Sequence, residues 1–168
     1  MDQLFDAYMR NQKMIDNLVS LITPENRHVK PSADGMPLDE QLAHLQNTRR
    51  FWLSSTGSTE LDSFGRNYRQ VSEEEWVPID SLDEMRTNLD ASAAAVVSLT
   101  KRLLAEGATV CGAYDHPLYF LQHMLWHDGY HFALIHLALR NAGVEISEEW
   151  EESHVWGLWR DESRLSWD

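Results

Sequence analysis

The chain has 168 residues, 43% of them hydrophobic, with 27 acidic against 14 basic side chains and a formal net charge of -13. That length and apolar fraction suit a single domain over residues 1–168 with a sizeable core. The acidic balance repels nucleic-acid phosphates and anionic lipid, so neither is an expected partner.

Cys111 has no second cysteine to pair with, and Met1-Asp2-Gln3 lacks the basic-then-apolar run of a secretion signal. No apolar run reaches the roughly 20 residues of a membrane span. The expected location is the cytoplasm.

From Leu4 to Ile22 apolar residues recur at the three-and-four spacing of a one-sided helix, and Pro24 follows as a stop. Residues 25–35 carry no period. Pro37, Asp39 and Glu40 suit the amino end of a second helix, predicted to run to about Ser54 and to bury some of Leu38, Leu42, Leu45, Phe51 and Trp52. Residues 57–78 are long for a bare connection, and the expectation is an irregular or short-helical segment with room for function.

Asp80 is the predicted N-cap of a third helix, whose Leu82, Met85, Leu89, Ala93, Val96 and Leu103 keep heptad-like spacing until Gly107. A fourth helix is predicted from Pro117 to near Asn141, with Gly143 as a left-handed stop. Ser147 then caps a short fifth segment, Glu148 to Arg160. Trp150, Trp156, Trp159 and Trp167 are expected to pack over the bundle, with a dimer seam or substrate lid as the alternative. The acidic runs Glu73 to Glu75 and Glu148 to Glu152 read as solvated surface. The fold class is therefore all-α: a four-helix bundle with at least one long crossover connection and an additional short C-terminal helix.

Five of the eight histidines lie between His116 and His136, and His123, His127 and His131 follow one another at four-residue steps on one helix face. Phe120, Met124, Leu134, Ile135 and Ala138 continue that face, so the imidazoles are expected to point toward the core. A buried neutral imidazole needs partners for both ring nitrogens, and a metal ion shared by several meets that need. Two histidines one turn apart can address one ion, and His44, mid-helix among leucines, is the best candidate for a third ligand. For an isolated pair, ordinary core or surface histidines would be the simpler account; the apolar context and the third histidine favour a metal.

Other metal patterns fail on ligand type. Only Glu151 to His154 has the Glu-x-x-His spacing that a di-iron bundle requires twice, and Asp128 stands where the zinc-protease motif has its glutamate. As the one acid on the fourth helix, Asp128 also disfavours a hemerythrin-like carrier. Beside His127, it is expected to point away from the histidine face as a solvated residue, with a role in orienting an imidazole as the alternative. Cys111 reads as an ordinary free thiol.

The segment His123-Met-Leu-Trp-His127-Asp-Gly-Tyr-His131, followed by Leu137-Ala-Leu-Arg-Asn-Ala-Gly143, resembles the last bundle helix of the DinB-like family, the metal-binding bundles and not the polymerase of that name. Leu38-Asp-Glu-Gln-Leu-Ala-His44 resembles the family's second helix. The resemblance implies a three-histidine metal site, frequent dimers, and kinship with bacillithiol S-transferases and mycothiol-dependent isomerases. It implies that His44, His127 and His131 are the ligands, with His123, like Asp128, a candidate for the surrounding shell. Where a frequent family pattern has an arginine, a glycine and a glutamine after the last ligand, this chain has Phe132-Ala133-Leu134.

Three neutral ligands leave a divalent ion charged and one position open. Zinc or nickel is the expected metal, with iron or manganese also acceptable to such a site. The favoured function is a metal-dependent S-transferase acting on a small-molecule substrate with a low-molecular-weight thiol, and a hydrolase using metal-bound water is the second enzymatic outcome. A non-enzymatic metal-binding stress or sensor protein is the alternative from another class. A homodimer is expected, and no catalytic residue beyond the ligands is assigned.

Overall fold

A computed structural model of the chain describes residues 1–58, 60, 62 and 64–164; Trp167 lies outside them. Four long helices form the body: α1 (Asp2–Val19), α2 (Leu38–Ser55), α3 (Leu82–Ala105) and α4 (Pro117–Asn141), followed by the short α5 (Glu148–His154) and a 3-10 turn, Trp156–Leu158. Among the described residues no helix is long and apolar enough to cross a membrane.

The core falls into two apolar clusters. One joins Ile15 and Leu18 of α1 with Leu38, Leu42 and Leu45 of α2, Met85 and Leu89 of α3, and Ile135, Ala138 and Leu139 of α4. The other joins Phe5 and Tyr8 with Leu53, with Ala93, Val96 and Leu99, and with Phe120 and Met124. The amino half of α1 therefore meets the amino half of α4 but the carboxyl ends of α2 and α3. So α1 and α4 run one way, α2 and α3 the other. The parallel pair α2 and α3 requires a crossover, which residues 56–81 supply, as the expected long connection.

At the boundary between the clusters each helix contributes a buried polar residue: Gln12, Arg49, Ser92 and Asp128, none more than 2% exposed. Arg49 donates to the Leu89 carbonyl at 3.0 Å, to Ser92 at 3.3 Å and to Gln12 at 2.7 Å, and pairs with Asp128 at 2.8 Å. Tyr8 donates to the same carboxylate at 3.3 Å. A charge stripped of water is tolerable only when paired and hydrogen-bonded in this way.

Several local expectations are corrected. Ser81, not Asp80, caps α3: its hydroxyl accepts from the Glu84 amide at 3.2 Å, in the spacing Ser-x-x-Glu of a capping box. Phe51 is exposed while Leu53 is buried. Among its described residues the crossover contains no helix but a short antiparallel hairpin, β1 (Tyr68–Gln70) with β2 (Trp76–Pro78), in which Gln70 faces Trp76 and Tyr68 faces Pro78. Three-residue strands are too short to show alternation in the sequence. The C-terminal segment is α-helical only to His154, where Trp150 stacks on the imidazole and packs against the first cluster. Trp159 donates to the Met14 sulfur at 2.7 Å, but it and Trp156 are exposed, against the expectation that both pack over the bundle.

Asp128 carries the largest correction. It is fully buried, whereas His127 is half-buried at the edge of the stripe. The core-facing line of α4 runs Phe120, Met124, Asp128, His131, Ile135. Because α4 packs on α1 and α3 as well as α2, the residue beside a histidine is also turned inward.

Candidate metal centre

His44, in the middle of α2, faces His127 and His131, one turn apart on α4. The Nε2 atoms of His44 and His127 stand 3.2 Å apart, and the ring centroids of the three imidazoles lie 4.6 to 5.2 Å from one another. One nitrogen from each ring falls within 4.8 Å of the others, so the three are positioned to hold a metal ion. His131 is 5% exposed, but His44 and His127 are half-buried, leaving the cluster open to solvent on one side.

The surroundings orient two of the rings. Gln41 Oε1 accepts from His131 Nδ1, which turns the Nε2 lone pair of that ring toward its neighbours. Gln41 sits one turn before His44 and is 1% exposed. Sequence reasoning passed over it, although the Gln41-x-x-His44 spacing puts both on one helix face. His127 Nδ1 is buried without a hydrogen-bond partner, and Asp128 Oδ1 lies 3.7 Å away. Arg49 and Tyr8, also passed over, hold that carboxylate from the other side. Burial opposes the Arg49 charge, yet Asp128, Tyr8 and Asp16 together outweigh it and hold the guanidinium pKa above its ordinary value.

Electrostatics favour uncharged rings. Burial first, then His127, lowers the His44 pKa; burial, then His127 and His44, pushes His131 down to about 4. Neutral imidazole is the form a metal takes. In chelator-treated protein this has a pH signature. Between about pH 6.5 and 4 the unfolded chain binds a proton at residue 131 that the folded chain refuses. Stability from this site is whole above pH 6.5 and is lost as pH falls toward 4, by up to about 3 kcal/mol. Thermal melts should show the decline in the wild-type chain and a shallower one in His131→Gln; equal slopes would contradict it.

His123 stands apart from the triad. Its ring centroid is 6.5 Å from that of His127, and Tyr114 donates to its Nδ1 at 2.7 Å. Cys111 is buried, and burial raises its thiol pKa, the opposite of what a nucleophile requires.

Beside the triad runs a groove of about 480 Å³ lined by Glu40, His44 and Asn47 of α2 and by Arg66, Tyr68, Glu74 and Trp76 of the crossover. Asn67, fully buried, fixes the hairpin: its side chain donates to the Met85 carbonyl at 2.9 Å and accepts from Asn88 at 3.0 Å, and its carbonyl accepts from the Ile79 amide at 3.0 Å. With that residue turned inward, Arg66 and Tyr68 on either side are turned toward α2. The acidic run read as mere surface thus supplies a groove wall through Glu74.

A helical bundle whose second and fourth helices bring three imidazoles together beside an open groove defines the class of candidate metal-binding bundles. The DinB family model matches residues 1–149, and the chain belongs to the DinB family. No curated protein and no solved structure matches the chain.

Proposed function

We propose that the chain is a divalent-metal-dependent enzyme that joins a thiol to an electrophilic small molecule, with His44, His127 and His131 as the metal ligands. The observation that carries this reading is the convergence of three imidazoles, with no carboxylate among them, one of which, His44, also lines an open groove. The donor set suits zinc, nickel or iron(II): burial disfavours the charged form of His44 and His131, Gln41 fixes one ring, and the buried His127 Nδ1 faces a carboxylate. A divalent ion bound by neutral ligands keeps its charge and lowers the pKa of a thiol beside it.

The chain's own part is to hold and orient. Gln41 sets His131; Asp128, anchored by Arg49, places a carboxylate 3.7 Å from His127 Nδ1; Tyr114 fixes His123 one turn along the same helix. The groove places the partners so that a sulfur–carbon bond forms while the leaving group departs with its electron pair and the thiol proton passes to solvent. Turnover of a chlorodinitrobenzene-type electrophile with small thiols is expected with zinc or nickel and is abolished by chelation. Turnover indifferent to chelation, or none with any thiol, would contradict the transferase reading. Metal-dependent ester cleavage without thiol would instead identify hydrolysis.

A further inference from the structure

The groove beside the triad has a polarity that the triad does not explain. Along α2 its lining runs Glu40, His44, Asn47, a span of about 10 Å at the helical rise of 1.5 Å per residue. Along the hairpin the facing order is Trp76 and Glu74 near the turn, then Tyr68, then Arg66. Tyr68 reaches the Glu40 carbonyl at 3.5 Å, and Gln46, next to Asn47, reaches the Gly65 carbonyl at 3.4 Å. The two walls are thereby in register. One end carries the carboxylates of Glu40 and Glu74 with the Trp76 indole; the other carries the Arg66 guanidinium; His44 lies between them.

These charges do not satisfy one another. Among the described residues, neither the two carboxylates nor the Arg66 guanidinium makes a hydrogen bond or an ion pair. Arg66 also lies close enough to Arg50 to disfavour its charge, an effect that Asp62, beside them both, opposes. Opposite charges held apart at the ends of a groove favour a ligand that carries the complementary pair, and an indole at the acidic end adds attraction for an ammonium group.

We propose that this groove recognises a small amphoteric molecule about 10 Å long, its carboxylate at Arg66, its ammonium between Glu40, Glu74 and Trp76, and its middle against His44. The placement of a reacting group at that middle rests on the metal-dependent reading above; the recognition of the two ends does not.

A tripeptide spans the required length, about 10 Å when extended. The probes are glycyl-seryl-glycine, its N-acetyl form, its C-terminal amide and the doubly blocked form, titrated into the purified protein by calorimetry. The free-ended peptide is expected to bind at least tenfold more tightly than either singly blocked form. Arg66→Gln is expected to erase the difference between the acid and the amide while keeping the preference for a free amine. Glu40→Gln with Glu74→Gln is expected to do the converse. Equal affinities across the four peptides, absence of binding, or charge preferences untouched by these substitutions would overturn the proposal. The cysteine analogue, titrated into cobalt-loaded protein, separates the two ideas: its thiolate-to-metal absorption band tests the thiol reading alone. Charge-selective serine-peptide binding without that band would leave the groove assignment standing and remove the transferase.

Discussion

Asp128→Ala is expected to destabilise the fold by about 3–5 kcal/mol, more than any exposed substitution in the chain. Its carboxylate is the counter-charge of Arg49, and both side chains are fully buried. Removing it leaves a guanidinium sealed between two apolar clusters, with only neutral acceptors on Leu89, Ser92 and Gln12. The cost is that of an uncompensated buried charge rather than of the pair itself. Replacing both partners, as Arg49→Met with Asp128→Leu, should recover most of the loss. Asp83→Ala is the control: its ion pair with Arg86 is 93% exposed on the aspartate side and should be worth at most about 1 kcal/mol. Urea unfolding in chelator measures all three, and a loss below about 1 kcal/mol for Asp128→Ala would contradict the role given to the polar layer.

The long helices were legible because periodicity and punctuation agreed. Pro117, Arg140 and Gly143 bracket α4 as expected, and Gly143 adopts φ 78°. The candidate ligands were legible for a related reason: histidines at one-turn spacing on an apolar face pose a desolvation problem that sequence alone reveals. Hidden were features set by tertiary partners. Asp128 reads as surface when α4 is assumed to pack on one side, and only the parallel arrangement of α2 and α3 shows that it packs on two. Arg49 looks like one of several helix cations until its burial is known. The hairpin was missed because its strands are short and their stability comes from Asn67 and Asn88, not from a hydrophobic pattern. The groove polarity was missed with it, since Glu74 and Arg66 gain meaning only when the hairpin lies along α2.

The second large effect concerns the ligands themselves. His127→Ala is expected to lower affinity for zinc or nickel by at least about a thousandfold, since two remaining imidazoles hold an ion far less firmly than three. The fold should survive, because His127 sits at the edge of the core and its Nδ1 makes no hydrogen bond that the mutation would strand. His44→Ala should behave alike. His123→Ala should keep the metal, since that ring is held by Tyr114 outside the triad.

Metal stoichiometry by elemental analysis, on wild-type protein and these three variants equilibrated with zinc or nickel and desalted, tests the central claim most directly. One ion per chain in the wild type and in His123→Ala, and none in His44→Ala or His127→Ala, is the predicted result. A wild-type protein that retains no ion, or His44 and His127 variants that retain it fully, would contradict a metal centre at these three histidines.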